Sequence, residues 1–417
     1  MTPTLRDLIR VFSRIGLLSF GGPAAQISLM HQELVERRTW LDEQTYLRAL
    51  SLCMLLPGPE AMQLATYAGW RLRGVIGGLI AGTLFVLPGA LVIAVLVTLY
   101  GAFGDLPLVQ AGFLGIKATV IVIVLQALRN LSRKALNDTQ HRVLAALGFL
   151  GIFLFNIPFP LIILAAACWG YASFRGSASQ EQAPPAPTLA NPFRTAAIWL
   201  TLWLGPLIAL SLSGQQLLSD LGWFFARLAV VTFGGAYAVL AYMTQTVVDQ
   251  YNWISTGQMI DALGLAETTP GPLILVTQFV AMLTGQISGG LSLALAAGAV
   301  ALWATFVPCF LWIFLAAPYL DRLASRPRLA AALHGITASV VGVILNLSLW
   351  FALNVLFHDI SQFQWGPLSL PVPGFGSLDF TALLLTFVAG VLILRVKLGM
   401  ATVLTLMMGA GICLHLF

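Results

Sequence analysis

Phe12-Ser13-Arg14-Ile15-Gly16-Leu17-Leu18-Ser19-Phe20-Gly21-Gly22 returns 213 positions later as Phe225-Ala226-Arg227-Leu228-Ala229-Val230-Val231-Thr232-Phe233-Gly234-Gly235. At the same offset Trp40 meets Trp253, and Pro57-Gly58-Pro59 meets Pro270-Gly271-Pro272. From Phe12 to Pro59, 16 of 48 positions are identical without a gap, too many for chance in so apolar a chain. Further on the offset becomes 220, which pairs Pro88 with Pro308 and Gly115-Ile116-Lys117-Ala118 with Gly335-Ile336-Thr337-Ala338. A chain that repeats itself and interrupts both copies at the same places is built on a pseudo-symmetry axis. In a membrane, such an axis usually carries a transport site.

The membrane assignment rests on composition. Of 417 residues, 59% are hydrophobic and 9% charged, against about 25% charged in soluble domains; mean hydropathy is +0.90. Leu72 to Phe103, Val109 to Leu131, Val143 to Tyr171, Thr195 to Leu212, Ile287 to Leu320, Leu329 to Leu356 and Phe380 to Phe417 are apolar enough to span or fold within a bilayer. The longest are expected to hold one tilted helix plus a break, or two short helices. The net charge of +5 sits in short loops and points to membrane orientation rather than to nucleic acid. Four cysteines (Cys53, Cys168, Cys309, Cys413) are far apart with no CxxC pair, so neither a disulfide nor a metal site is expected, and no cofactor. Met1 to Arg14 is basic and amphipathic, without the compact apolar core of a cleavable signal. No nucleophile, metal cluster or catalytic dyad appears at recognisable spacing, which argues against an intramembrane enzyme.

Loop charges bear on how the copies are oriented. Arg37, Arg38 and Arg48, then Arg71 and Arg73, then Arg129, Arg133, Lys134 and Arg142 fall in first-half loops whose second-half counterparts carry no Lys or Arg. The bias then reverses: Arg322, Arg326 and Arg328, and later Arg395 and Lys397, face first-half loops with none. Basic loops stay cytoplasmic, so the halves are expected to have inverted topology. Thr195 to Leu212 supplies the odd crossing, preceded by a polar linker, Ser177 to Asn191, containing Pro184-Pro185-Ala186-Pro187. The expected organisation is an N-terminal repeat (1–175), a linker with a connecting transmembrane helix (176–214) and a C-terminal inverted repeat (215–417). An all-α polytopic inner-membrane protein follows, with its N-terminus cytoplasmic and its C-terminus periplasmic. Nine crossings result if the broken segments re-enter, and thirteen if all cross.

In each copy the first two hydrophobic segments are interrupted, by Gly21-Gly22 and Gly234-Gly235, then by Pro57-Gly58-Pro59 and Pro270-Gly271-Pro272. Proline removes a donor and clashes with the preceding turn, and glycine frees the backbone to bend. Backbone groups released at membrane depth must be buried in protein or line a wet cavity. A half-helix beginning after Pro59 or Pro272 would present N–H groups and a positive dipole end to an anion. Arg14 and Arg227 each lie seven positions before a Gly-Gly pair; an arginine in an apolar helix needs a cavity or partner, and its planar fork suits oxyanions. Against this, Arg14 continues a ladder of Arg6 and Arg10 that could simply meet lipid phosphates. Lys117 is a second cation in an apolar stretch, open to two readings: anion ligand, or partner of a carboxylate on another helix. Glu60 follows the first Pro-Gly-Pro and Glu267 precedes the second by three residues, as proton carriers or as caps and ion-pair partners.

The motifs RIGLLSFGGP and LLPGPEAMQLATYAGW in the first half, and TFGGA and AETTPGP in the second, resemble the chromate ion transporter family in its long two-domain form, over essentially the whole chain. The resemblance implies a bacterial inner-membrane protein that expels chromate, coupled to membrane potential or to proton antiport. It places Arg14, Gly21, Gly22, Pro57, Gly58, Pro59 and Glu60 in one motif and Arg227, Gly234, Gly235, Glu267, Pro270, Gly271 and Pro272 in the other. Chromate and sulfate are nearly isosteric dianions, so another divalent oxyanion, or passive conduction, stays open. Partners are the anion and the lipid bilayer, with homodimerisation left open.

Overall fold

The computed structural model describes residues 3–173, 192–233, 236–320, 327–366 and 368–416. The Pro-rich linker, Gly234, Gly235, Arg322 and Arg326 lie outside the described residues. The described residues are helical nearly throughout, and among them five helices are long and apolar enough to cross a membrane: Glu60–Phe103, Pro107–Ala135, Pro192–Leu212, Leu273–Tyr319 and Pro327–Leu356. It is a multi-pass membrane protein. Two compact units each draw segments from both halves of the sequence.

The first unit comprises Met1–Thr98, Arg175–Ala236 and Thr269–Ala330. Its helix α1 (Leu5–Leu18) opens on a capping box in which Thr4 and Asp7 exchange bonds. Leu8, Val11, Phe12 and Ile15 are buried along one face while Arg6, Arg10 and Arg14 point outward. Helix α2 (Gly22–His31) follows the first break, and α3 (Glu43–Leu55) leads to the second. Helix α4 (Glu60–Phe103) carries a non-helical pair at Arg73 (φ −142°) and Gly74 (φ 63°). Residues eight apart on a straight helix are separated by about 12 Å. Yet a Cβ placed on Gly69 would strike the Gly77 carbonyl, and one on Gly77 the Gly69 carbonyl, so the chain doubles back at Gly74. The second copy does the same. Helix α12 (Val276–Ala316) turns at Gly289 and Gly290 (φ 75°) and folds Gly285 against Leu293 and Ala294. Both turns fall at the starts of the apolar stretches Leu72 to Phe103 and Ile287 to Leu320, the first on the expected loop of Arg71 and Arg73, and the helices run on without a further non-helical residue. Helix α8 (Pro192–Leu212) leans on α12 through Trp203 Nε1 to the Ala304 carbonyl and Trp303 Nε1 to the Leu202 carbonyl, both 3.0 Å. The unit is completed by α9 (Gln216–Val231).

The second unit comprises Leu99–Phe174, Tyr237–Thr268 and Ala331–Phe417. Helices α5 (Pro107–Ala135), α6 (Thr139–Phe155), α7 (Phe159–Ser173), α10 (Ala236–Thr244), α11 (Thr256–Thr268), α13 (Pro327–Leu356), α14 (Phe380–Gly390) and α15 (Met400–Leu416) build it, with α10 and α13 beginning just outside it. Small residues let its helices touch backbone to backbone. Gly115 of α5 abuts the Met407 carbonyl and Gly411 of α15 the Ala111 carbonyl. Gly335 of α13 abuts the Ala166 carbonyl, and Gly170 of α7 the Ala331 carbonyl. The second set is the first with the copies exchanged, at offsets 220 (115 to 335, 111 to 331) and 241 (166 to 407, 170 to 411). An antiparallel hairpin, β1 (Ile360–Trp365) with β2 (Leu368–Pro373), pairs Ile360 with Pro373 and Trp365 with Leu368. The alternation in ISQFQW and LSLPVP signals strands, and an all-helical reading passes over it.

Candidate functional site

The helices that lead into the two first breaks end the same way. At the end of α1 the Ser19 hydroxyl bonds the Ile15 carbonyl at 2.6 Å, and at the end of α9 the Thr232 hydroxyl bonds the Leu228 carbonyl at 2.6 Å. The hydroxyl closes the last turn, and the left-handed Gly21 (φ 86°) and Gly22 (φ 77°) then redirect the chain. The carbonyls of Ser19 and Thr232 are left without helical partners. Each is taken up by the Pro-Gly-Pro of the other copy: Gly271 N–H donates to the Ser19 carbonyl at 2.9 Å, and Gly58 N–H to the Thr232 carbonyl at 2.9 Å. Residue i of one copy thus meets j of the other, and j meets i, as a two-fold relation requires.

The amides the prolines leave behind are therefore not idle. Glycine is needed because Gly58 and Gly271 sit at φ 120° and 90°, and because a Cβ at Gly58 would lie 2.8 Å from Gln63 Nε2 and 2.9 Å from Cys309 Sγ. Three buried glutamines brace the carbonyls around these breaks. Gln26 Nε2 donates to the carbonyls of Gly271 (2.7 Å) and Ser19 (3.2 Å), Gln63 Nε2 to that of Pro57 (2.7 Å), and Gln278 Nε2 to that of Ala90 (2.9 Å). Gln63 stands four positions after Pro59, close enough for a local rule to find, whereas Gln26 does not, and Val239 stands at its counterpart position.

Helix α4 starts at Glu60 with Pro59 just outside it, and after Pro272 a 3₁₀ turn (Leu273–Leu275) precedes α12. The prolines thus flank the new helices rather than open them. Glu60, half-buried, sits on the first turn of α4, where a carboxylate matches the helix dipole and competes with any other anion there. Arg14 and Arg227 are both exposed, on the faces of α1 and α9 opposite the packed core, and Arg227 Nε reaches the Trp223 carbonyl at 3.3 Å.

The remaining candidates belong to the second unit. Lys117 on α5 forms an ion pair with Asp261 on α11, Nζ to Oδ1 2.9 Å, the partner-carboxylate alternative for this residue. The Tyr100 hydroxyl donates to the other oxygen, Oδ2, at 2.7 Å. Glu267, six positions further along α11 and 8% exposed, accepts the Tyr237 hydroxyl at 2.8 Å. Asp261 was missed because its cation lies 144 positions earlier in the chain (261 − 117), and no spacing rule links them.

The chromate transporter family model matches residues 6–171 and 219–414. The chain is 33% identical over 344 residues to a chromate transport protein of Cupriavidus metallidurans (strain CH34), covering 82% of this chain and 81% of that one. It is 28% identical over 367 residues to a probable chromate transport protein of Synechococcus elongatus, covering 88% and 89%. An uncharacterised transporter of Bacillus subtilis (strain 168), YwrA, is 31% identical over 166 residues, which is 93% of its length but 39% of this chain. No solved structure matches. With two matched blocks that together take in both Gly-Gly and both Pro-Gly-Pro breaks, the chain belongs to the chromate transporter family.

Proposed function

We propose that the protein expels chromate from the cytoplasm across the inner membrane, driven by the membrane potential, by proton antiport or by both. The observation that carries this reading is the exchange of docking contacts at the broken segments, within a chain of this family. The two Pro-Gly-Pro segments, joined crosswise to the helix ends at Ser19 and Thr232, form broken-helix junctions inside apolar helices, the arrangement in which transporters hold substrate. Uptake of radiolabelled chromate into everted vesicles, with sulfate as competitor and an uncoupler as control, tests it. Accumulation resistant to sulfate supports chromate; efficient competition by sulfate supports a broader oxyanion carrier. Flux that only follows the concentration gradient describes a channel, and none above protein-free vesicles rejects transport.

The halves are read as repeats 1–175 and 215–417 of inverted topology, joined by 176–214. The reversal of basic residues and the near-full-length match of a half-sized relative favour this. Thr39 and Asn252, equivalent at offset 213, are both left-handed (φ 49° and 51°), a conformation that disfavours cysteine. Gln44→Cys and Gly257→Cys, also 213 apart and both exposed, make better reporters. An impermeant thiol reagent is expected to label them from opposite sides of the membrane; labelling from one side overturns the inverted arrangement.

Arg14 and Arg227 are proposed as oxyanion ligands, their planar forks suiting two parallel hydrogen bonds. Arg→Lys at either position is expected to impair transport nearly as much as Arg→Ala. Loss of a charge-assisted bond costs roughly 1.5–3 kcal/mol, or about ten- to a hundred-fold in apparent affinity. Intact transport by both lysine variants at normal protein level removes the arginines from the site.

A further inference from the structure

We propose that the Lys117–Asp261 pair is a partner-exchange switch, at which an incoming oxyanion takes the Lys117 ammonium and the released Asp261 carboxylate takes up a proton. The inference deepens the chromate-transport reading and rests on it. Three observations lead to it.

The pair is built to be stable when empty. Asp261 is 2% exposed; Lys117 Nζ lies 2.9 Å from Oδ1 as an ion pair, and the Tyr100 hydroxyl donates to Oδ2 at 2.7 Å, while Oδ1 accepts no hydrogen bond among the described residues. Ions inside apolar helices persist only when compensated in this way. The pair is also lopsided: 15% of the Lys117 side chain is accessible against 2% for Asp261. Lys117 is therefore the more accessible partner, and a lysine, flexible and rotatable at its tip, is the one that can turn to meet a ligand.

The architecture does not demand the pair. Lys117 corresponds to Thr337 at offset 220, and Asp261 corresponds to Arg48 at offset 213. Thr337 turns its hydroxyl back to the Leu333 carbonyl at 2.8 Å, and that copy of the helix forms with no lysine at this position. An ion pair that one copy carries and the other dispenses with is not a packing requirement of the repeat.

The chemistry then follows from charge. A dianion brings two negative charges to Lys117 where Asp261 offers one. Once the ammonium turns away, a buried carboxylate facing only a phenol is strongly disfavoured as an anion, and binding a proton removes the conflict. The only bond exchanged is the proton's: it leaves hydronium in the bathing water and forms an O–H bond on Asp261 while the anion gains the ammonium, and both steps reverse on release. Among the described residues the titratable groups acting on Asp261 are Lys117 of α5 and Tyr100 at the end of α4. Asp105, in the turn before α5, acts on Tyr100. Helix α15, which also packs on α11, carries Cys413 and His415, both exposed. For proton antiport the proton must reach Asp261 from the face opposite the anion; a proton from the same face would give co-transport.

The test measures binding of radiolabelled chromate to full-length protein in lipid nanodiscs, with proton uptake followed by an indicator dye in weakly buffered medium. Wild type is expected to take up about one proton for each anion bound. Asp261→Asn, with the ammonium already free, is expected to bind chromate roughly ten-fold more tightly and to take up none. Lys117→Gln is expected to lose binding. The double variant Lys117→Gln/Asp261→Asn, which carries no uncompensated charge, is expected to fold, as judged by its thermal transition, and still not to bind. Restored binding in the double variant, or wild-type proton uptake in Asp261→Asn, overturns the switch while leaving chromate transport standing. Absence of both chromate binding and vesicle uptake in the wild type overturns both.

Discussion

Of three left-handed glycines at breaks and turns, Gly58→Ala is expected to be the most damaging, with Gly271→Ala next and Gly74→Ala far milder. All three glycines have positive φ, 120°, 90° and 63° respectively, so each alanine carries backbone strain of order 1–3 kcal/mol. Surroundings separate them. At Gly74 nothing lies within 4 Å of an added Cβ, and the cost stops at the backbone. At Gly271 the Cβ meets Leu275 Cδ1 at 3.0 Å, the end of a side chain that can give way. At Gly58 it meets two atoms, Gln63 Nε2 at 2.8 Å and Cys309 Sγ at 2.9 Å, and that amide is already committed to the Pro57 carbonyl. Overpacking adds typically 1–3 kcal/mol, a large share of a total stability of roughly 5–15 kcal/mol. Displacing Gly58 also withdraws its N–H from the Thr232 carbonyl, so chromate flux should fall with stability. Thermal midpoints of the purified variants and vesicle flux at matched protein level give the ranking. Equal behaviour of Gly58→Ala and Gly74→Ala would mean that the crosswise docking does not hold the centre together.

The positions of the breaks were legible because glycine and proline act locally. Gly-Gly and Pro-Gly-Pro interrupt a helix whatever surrounds them, and the offset of 213 marked them as pairs. What the breaks touch was not legible. That Gly271 N–H would find the Ser19 carbonyl depends on two segments about 250 positions apart in the chain coming together (271 − 19 = 252), which no local rule reports. The free amides expected for an anion were those of the half-helices beginning after Pro59 and Pro272, drawn from the same local logic; the amides just before these prolines, on Gly58 and Gly271, are spent on carbonyls. Lys117 shows the same limit from the other side. Its placement in an apolar helix signalled a partner, but a carboxylate on another helix and an anion were equally good candidates until Asp261 was located. The turn at Gly74 was legible because Arg71 and Arg73 mark a loop there, and the one at Gly290 only through the repeat, since no charge marks it.

Glu60→Gln and Glu267→Gln are expected to retain chromate binding and exchange while losing the response of flux to a pH gradient, if coupling runs through these carboxylates. Energetics does not compel coupling. Expelling a dianion from a cell with a negative interior is favourable by about 2.3 kcal/mol per charge per 100 mV, and potential alone could drive it. Placement is what argues for protons. Glu60 occupies the first turn of α4, the position an anion would also prefer, so its charge opposes a dianion unless neutralised. Glu267 is 8% exposed and is held by the Tyr237 hydroxyl at 2.8 Å, with no cation paired to it among the described residues. Glutamine keeps the shape at both positions and an acceptor for that hydroxyl, so the substitutions remove the proton site without emptying it. The two acids lie in different compact units, and each single variant is therefore informative by itself. Reconstituted protein with the potential clamped at zero and only a pH gradient imposed separates the outcomes. No effect of the gradient on wild type describes a potential-driven uniporter. A gradient response that survives in both glutamine variants but vanishes in Asp261→Asn transfers coupling to the Lys117–Asp261 pair and leaves Glu60 and Glu267 with structural roles.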